Sequence, residues 1–248
     1  MSTSTSDFIS KLSQLKKDFK VFIPSAKKEV TATQITLKQQ KDIISTAVNG
    51  VLGALQFTKA VNDLIEENIE GDEFYTFDRV PALLALRVES LGDKIKDDNG
   101  EIVSLTPALE LAKKSPKFKL SKKISLDSIK IDLRLPTLKE ETIVLKKCIL
   151  EIDKLNTEDL SQAMGLIYIF ELIKTIKAVT VEDETVDFDN LKVVDRVKII
   201  EQLPLDLYND ITDFLLQVSQ YEKSLLNVVD STITIDASFH IILRIFFL

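Results

Sequence analysis

The sequence predicts an α+β chain, mainly helical, with an N-terminal β-hairpin, a small β-rich central insert and a C-terminal strand. Three features carry that expectation. Apolar residues recur at three- and four-residue spacing through most of the chain, the period of a helix with one buried face. Near both ends and in the middle the period switches to two, as in strands. Two helix-start signatures, Thr36-Leu37-Lys38-Gln39 and Thr137-Leu138-Lys139-Glu140, mark where strand gives way to helix. In each, the Thr hydroxyl and the side chain three residues on can satisfy orphan N–H groups of the first turn.

Taken in order, Phe8, Ile9, Leu12 and Leu15 have helical spacing and predict a short helix over residues 7–15. Residues 19–23 and 29–35 are rich in β-formers, and the turn at 25–28 joins them into a hairpin. After the first capping box, Ile44, Val48, Val51 and Leu55 share a helix face, with Gly50 and Gly53 expected to break or bend it. A further helix runs through Phe57, Val61, Leu64, Ile65 and Ile69 and stops before Gly71. Residues 77–91 predict another, with Asp78 as N-cap and Pro81 in the first turn, where a missing N–H is tolerated.

The character changes over residues 92–136. Asp98-Asn99-Gly100 is a strong turn flanked by Ile95, Ile102, Val103 and Leu105; residues 105–114 predict a short helix that Ser115-Pro116 ends. Residues 118–135 alternate as two strands. Because both capping boxes follow a Pro-terminated β segment, a worn strand-then-helix duplication is one reading of the pair, and coincidence the other. Helices are expected over 137–152, 157–179, 191–203 and 205–229, with a short exposed acidic hairpin over 179–188. The chain therefore divides into residues 1–91, 92–136 and 137–248, which read equally as parts of one compact domain.

Composition narrows the function. Lys+Arg 32 against Asp+Glu 39 gives a formal charge of -7 and a pI near 5.0, the wrong balance for gripping a phosphate backbone, so no nucleic-acid partner is expected. Arginine, the fork-shaped donor for phosphates, occurs only at positions 79, 87, 134, 196 and 244. Cys148 is the sole cysteine, so no intramolecular disulfide forms and folding in a reducing cytoplasm is expected. The Ser/Thr-rich start lacks the basic and apolar stretches of a signal peptide, and neither apolar run, 163–170 or 239–248, is long enough to span a bilayer. No membrane association is expected.

Catalytic chemistry finds little to stand on. His240 is the only histidine, which leaves most histidine-based triads and zinc sites incomplete, and its apolar surroundings favour an ordinary half-buried residue. Cys148 follows Lys146 and Lys147, neighbours that would lower a thiol's pKa, but a structural cysteine is the plainer reading. No phosphate-binding glycine motif or paired-cysteine motif appears among the 6 glycines and single cysteine. The acidic run Glu182-Asp183-Glu184 with Asp187 and Asp189 misses calcium-loop spacing, and adjacent Glu66 and Glu67 do not face each other on a helix. No cofactor, metal or small-molecule substrate is expected, and a small carboxylate- or cysteine-based enzyme is the weakest alternative.

Two apolar features remain as partner-binding candidates. Leu207, Ile211, Phe214, Val218, Tyr221 and Leu225 recur at four and three, a narrow coiled-coil-like seam about three heptads long that suits either a partner helix or the chain's own core. The tail alternates almost without error: Ile233, Ile235, Ala237, Phe239, Ile241, Leu243, Ile245 and Phe247 share one face of an extended strand. The other face turns apolar at Ile242, Phe246 and Leu248, so the strand needs cover on both sides, from its own domain or from a partner.

The stretches FKVFIPSAKKEVTATQITLKQQKDII, GVLGALQFTKAVNDLIEENI and PALLALRVESLG resemble the baseplate hub proteins of T-even-type contractile-tailed bacteriophages, and LRLPTLKE and IDASF are similar too. The likeness is closest over residues 19–91 and looser beyond, and its motifs are structural. It implies a structural or assembly subunit of the tail baseplate hub, folded in the host cytoplasm, located in the virion tail and binding other phage baseplate or tail proteins. An assembly chaperone absent from the finished virion is the alternative that it leaves open. No catalytic residues come with it.

Overall fold

The computed structural model describes residues 12, 15–46, 50–71, 73–96, 100–154 and 160–229. Of the helix expected over 7–15 only residues 12 and 15 are described, so that expectation lies outside them. The hairpin is present as expected: β1 (Asp18–Ile23) pairs antiparallel with β2 (Lys28–Thr33), in register from Asp18↔Thr33 to Ile23↔Lys28. Alternation turns Val21, Ile23 and Ala32 into the core.

Thr36 caps α1 (Leu37–Thr46) as its sequence demands: the Gln39 amide N–H donates to Thr36 Oγ1 (3.2 Å), and Gln39 Oε1 accepts from the Thr36 N–H (2.9 Å). The helix buries Ile43 and leaves Ile44 exposed, one residue out of the expected phase. Helix α2 (Gly50–Asn68) contains Gly53 within it and buries Phe57, Val61, Leu64 and Ile65. Beyond it, Ile69 bridges to Ala32 of the hairpin.

A 3-10 turn at Thr76–Asp78 leads into α3 (Arg79–Leu91), whose residues from Val80 to Arg87 are all buried. The run Val80–Leu86 is apolar all round, as befits a helix in the middle of a protein, and α3 packs against β1, α2, α4 and α8. Gly92 closes it with φ +96, donating its N–H to Val88 O. Asp78 occupies the N-cap position, but its side chain makes no cap hydrogen bond to the helix. Its carboxylate, itself fully buried, accepts instead from the Ser25 N–H in the hairpin turn and from the Tyr75 N–H, both at 2.8 Å.

In the central region β3 (Lys94–Lys96) and β4 (Ile102–Ser104) pair around the expected turn, of which residues 97–99 lie outside the described set. Helix α4 (Thr106–Ala112) follows. Then β5 (Ser121–Leu126) and β6 (Ile129–Arg134) form the expected second hairpin. The second capping box closes on α5 (Leu138–Ile152), with the Glu140 N–H on Thr137 Oγ1 and the Thr137 N–H on Glu140 Oε2. The local order of hairpin, capping Thr and helix thus occurs twice.

Helix α6 ends earlier than its pattern predicts. It covers Leu160–Thr175, and the chain continues as β7 (Ile176–Val181) and β8 (Glu184–Asp187). The acidic hairpin is therefore no isolated ribbon: β7 pairs with β6, giving an antiparallel sheet in the order β5-β6-β7-β8. Helices α7 (Val193–Ile200) and α8 (Asp206–Val229) complete the described chain. One continuous hydrophobic cluster includes Ile23, Ile65, Leu84, Ile131, Leu138, Ile173 and Leu225, so the described residues of all three stretches contribute to one core.

Asp78→Ala leaves two partly buried backbone donors without this acceptor, at about 1–3 kcal/mol each. We expect a loss of roughly 2–4 kcal/mol in chemical denaturation, a Tm drop on the order of 10 °C, and a smaller loss for Asp78→Asn, which keeps one acceptor.

Candidate interaction site

The α8 seam is turned inward. Leu207, Ile211, Phe214, Tyr221 and Leu225 are buried, and Val218 is partly buried against the same core. Their contacts come from this chain's own elements, since α8 lies against α3, α4, β5 and the Thr76–Asp78 turn. An aromatic row fixes it there: Phe77 stacks on Phe118 at 3.9 Å between centroids, and Phe118 meets Tyr221 edge-on at 5.1 Å. Of the two options the sequence leaves open for the seam, burial in the core is the one this arrangement takes. The tail candidates Ile233, Ile235, Phe239, Ile241, Ile242, Leu243, Ile245, Phe246, Phe247 and Leu248 lie outside the described residues, as does His240.

Sequence reading missed a buried charge cluster. Glu141, in the first turn of α5 and 2% exposed, accepts from Asn62 Nδ2 of α2 (2.9 Å), from Lys174 Nζ of α6 (2.8 Å) and from the Arg79 guanidinium at the start of α3. Arg79 Nε also donates to Asn62 Oδ1 at 3.0 Å. Four helices thus meet on one carboxylate. The available signal was Arg79 itself, one of five arginines, standing before an apolar helix.

Beside the cluster is a cavity of about 310 Å³, lined by Leu55, Leu145, Leu215, Glu171 and Glu222 together with Arg79. Glu222 retains some exposure, yet the packing around it is dense enough that desolvation raises its pKa, with Arg79 and Lys174 only partly offsetting this. Burial likewise lowers the Arg79 pKa, opposed by Glu222 and Glu171. Chemically the cluster is a brace. Glu141 already holds three donors, which leaves it poorly placed to take a proton from a substrate.

The other chemical candidates read plainly. Cys148 is fully buried, and desolvation, with Glu171 adding to it and Lys174 opposing, pushes its thiol up to about 12. The buried, structural cysteine is thus the reading that fits, despite Lys146 and Lys147 before it in sequence. Glu67 accepts from Gln39 Nε2 at 3.0 Å, while the Glu66 carboxyl is raised by desolvation against nearby Lys139. Glu182 and Asp183 form the β7–β8 turn. Among the described residues no group of three His, Cys, Asp or Glu side chains is placed to hold a metal, and no helix is long and apolar enough to cross a membrane.

Burial sets the sign of two substitutions. Glu141→Gln removes the carboxylate bridged to Arg79 and one of the two bridged to Lys174, which keeps Glu171, and is expected to cost about 3–5 kcal/mol. Glu222→Gln has the opposite sign: a carboxyl raised above its ordinary 4.5 favours folding only when protonated, so the substitution stabilises by on the order of 1 kcal/mol at neutral pH. That gain shrinks as pH falls through the raised pKa and is gone below the ordinary value. Thermal melts at several pH values check both. For Cys148, a thiol-specific colorimetric reagent is expected to react only after unfolding.

The family model described as T4 bacteriophage base plate protein matches residues 16–227, from the start of the hairpin to near the end of α8. No curated protein and no solved structure matches the chain. With most of the chain inside that match, the chain belongs to the T4 bacteriophage base plate protein family.

Proposed function

We propose that this protein is a subunit of the phage tail baseplate hub that acts by binding other tail proteins rather than by catalysis. Family membership supports a structural role and a location in the virion tail baseplate. The observation that carries the binding mode is the fate of the two apolar candidates. The α8 seam is spent on the chain's own core, which leaves the alternating segment 232–248 as the partner-binding candidate, Ile233 to Leu248 supplying one apolar face throughout and a second from Ile242 onward. An extended segment of that pattern suits strand addition to a neighbouring protein, where main-chain hydrogen bonds give affinity and alternate side chains give specificity.

Removing residues 239–248 is expected to leave a folded chain by circular dichroism while abolishing co-purification of other baseplate proteins from infected cells. A truncated chain that unfolds would assign the tail to the core and sink this reading of it.

A further inference from the structure

The four-stranded sheet ends in two edges of opposite charge. Around β5, residues 113–123 contain six lysines and no acid. Around β8, residues 182–189 contain five acids and no base. Charged edges ordinarily block edge-to-edge pairing. Here the block is selective, because two β5 edges repel each other and two β8 edges repel each other, while β5 and β8 attract.

The strand count and the register both favour that unlike pairing. An antiparallel sheet with an even number of strands ends on strands of opposite direction, so a translated copy placed beside β8 brings its β5 in antiparallel. Following the register across the sheet gives four rows: Lys123–Asp132–Ala178–Asp187, Ile124–Ile131–Val179–Val186, Ser125–Lys130–Thr180–Thr185 and Leu126–Ile129–Val181–Glu184. Carried unslipped into a second copy, these rows set Asp187 opposite Lys123, Val186 opposite Ile124 and Thr185 opposite Ser125.

Backbone parity agrees. The Leu135 N–H donates to Leu120 O, so on β5 the even-numbered residues face β6, and Ser121, Lys123 and Ser125 direct their N–H and C=O outward. Two-residue turns close both hairpins of this sheet, so Glu184 and Val186 face β7 while Thr185 and Asp187 point away. The residues with outward groups on one edge are those that the rows bring opposite outward groups on the other. Val186, on the outer strand, is 38% exposed, apolar surface of the kind that a further strand covers. At Lys119 the outward groups are already taken, its N–H by Gln217 Oε1 at 2.8 Å and its carbonyl by Gln217 Nε2 at 3.0 Å, so among the described residues the unpaired part of this edge is 121–125.

We propose that the sheet is an interface between copies of this chain, the β8 edge of one copy pairing antiparallel with the β5 edge of the next. Such a contact is heterologous, so it builds a ring where the rotation closes and an open chain of copies where it does not. It is short, hence weak and sensitive to salt.

Sedimentation velocity on the full chain tests this across a wide concentration range at low and high salt. Concentration-dependent association that salt weakens is expected for the native sequence. K123E and D187K should each weaken it by about tenfold or more by setting like charges opposite each other, and an equimolar mixture of the two should restore it. T185P removes an N–H that the monomer's own ladder does not use, so it should leave the circular dichroism spectrum intact and abolish association; it carries the test alone if D187K does not fold. A chain that stays monomeric throughout overturns the proposal, as does association unchanged in T185P and the charge variants, or a mixture that fails to recover it. Association through residues 232–248 survives all three substitutions, so failure here is distinct from failure of the tail reading.

Discussion

Four helices depend on one carboxylate. Glu141 projects from the first turn of α5 into a site reached by Asn62 of α2, Arg79 of α3 and Lys174 of α6, and it is almost wholly removed from water. A charge buried this deeply is tolerated only when its lone pairs are satisfied and its sign is balanced. Three donors from three helices meet both conditions at once, and they also fix how the helices sit, since a shift of any one strands a charge. Apolar packing alone would allow more arrangements, because Leu and Ile faces slide past one another at small cost. The apolar stretch Val80–Leu86 of α3 is the extreme case. It has no preferred azimuth of its own, and polar groups at both ends of the helix anchor it: Asp78 on the hairpin turn, Arg79 on Glu141, Arg87 on the Gly92 carbonyl and Ser90 on the Ile35 N–H.

The same economy appears at the chain reversals. Lys27, Asp127 and Glu182 each take a left-handed backbone conformation, and each sits in the turn of an antiparallel hairpin. Non-glycine residues bear a modest strain there, which the strand pairs on either side offset. Two of the three hairpins then join edge to edge as β5-β6-β7-β8, although a capping Thr and two helices separate them in sequence. The sheet meets the core through Ile124, Ile131, Leu133 and Val179, while Lys123, Ser125, Lys130, Glu184 and Thr185 are exposed.

Local chemistry was legible in the sequence wherever one residue pair decides it. Thr36 with Gln39 and Thr137 with Glu140 announce their helices because a capping box is complete within four residues. The first hairpin, with its Pro24 stop, is readable for the same reason. What was not legible depends on residues far apart. Ile43 rather than Ile44 faces inward because α1 packs on α2, a choice that spacing alone cannot make. The strand at residues 176–181 continues a helical apolar pattern and becomes strand only because β6 is there to pair with it, a tertiary override of local periodicity. Asp78 looks like an N-cap by position and serves instead as an acceptor for Ser25, fifty-three residues earlier. The Glu141 cluster joins residues 62, 79, 141 and 174, and no window of sequence contains them all.

For a baseplate protein these features bear on how binding is divided from folding. A coiled-coil-like seam such as that of α8 would serve a partner only if it were spared from the core, and here Phe214, Tyr221 and Leu225 are buried in it, Tyr221 against the Phe118 ring that stacks on Phe77. With its best helical stripe used internally, the association proposed above draws on strand pairing, through the alternating tail sequence and the edges of the described sheet. Strand pairing suits an assembly that must build in order. Its hydrogen bonds are formed only when register and direction are right, whereas an exposed helical stripe of the same area would adhere to many partners before the correct one arrived.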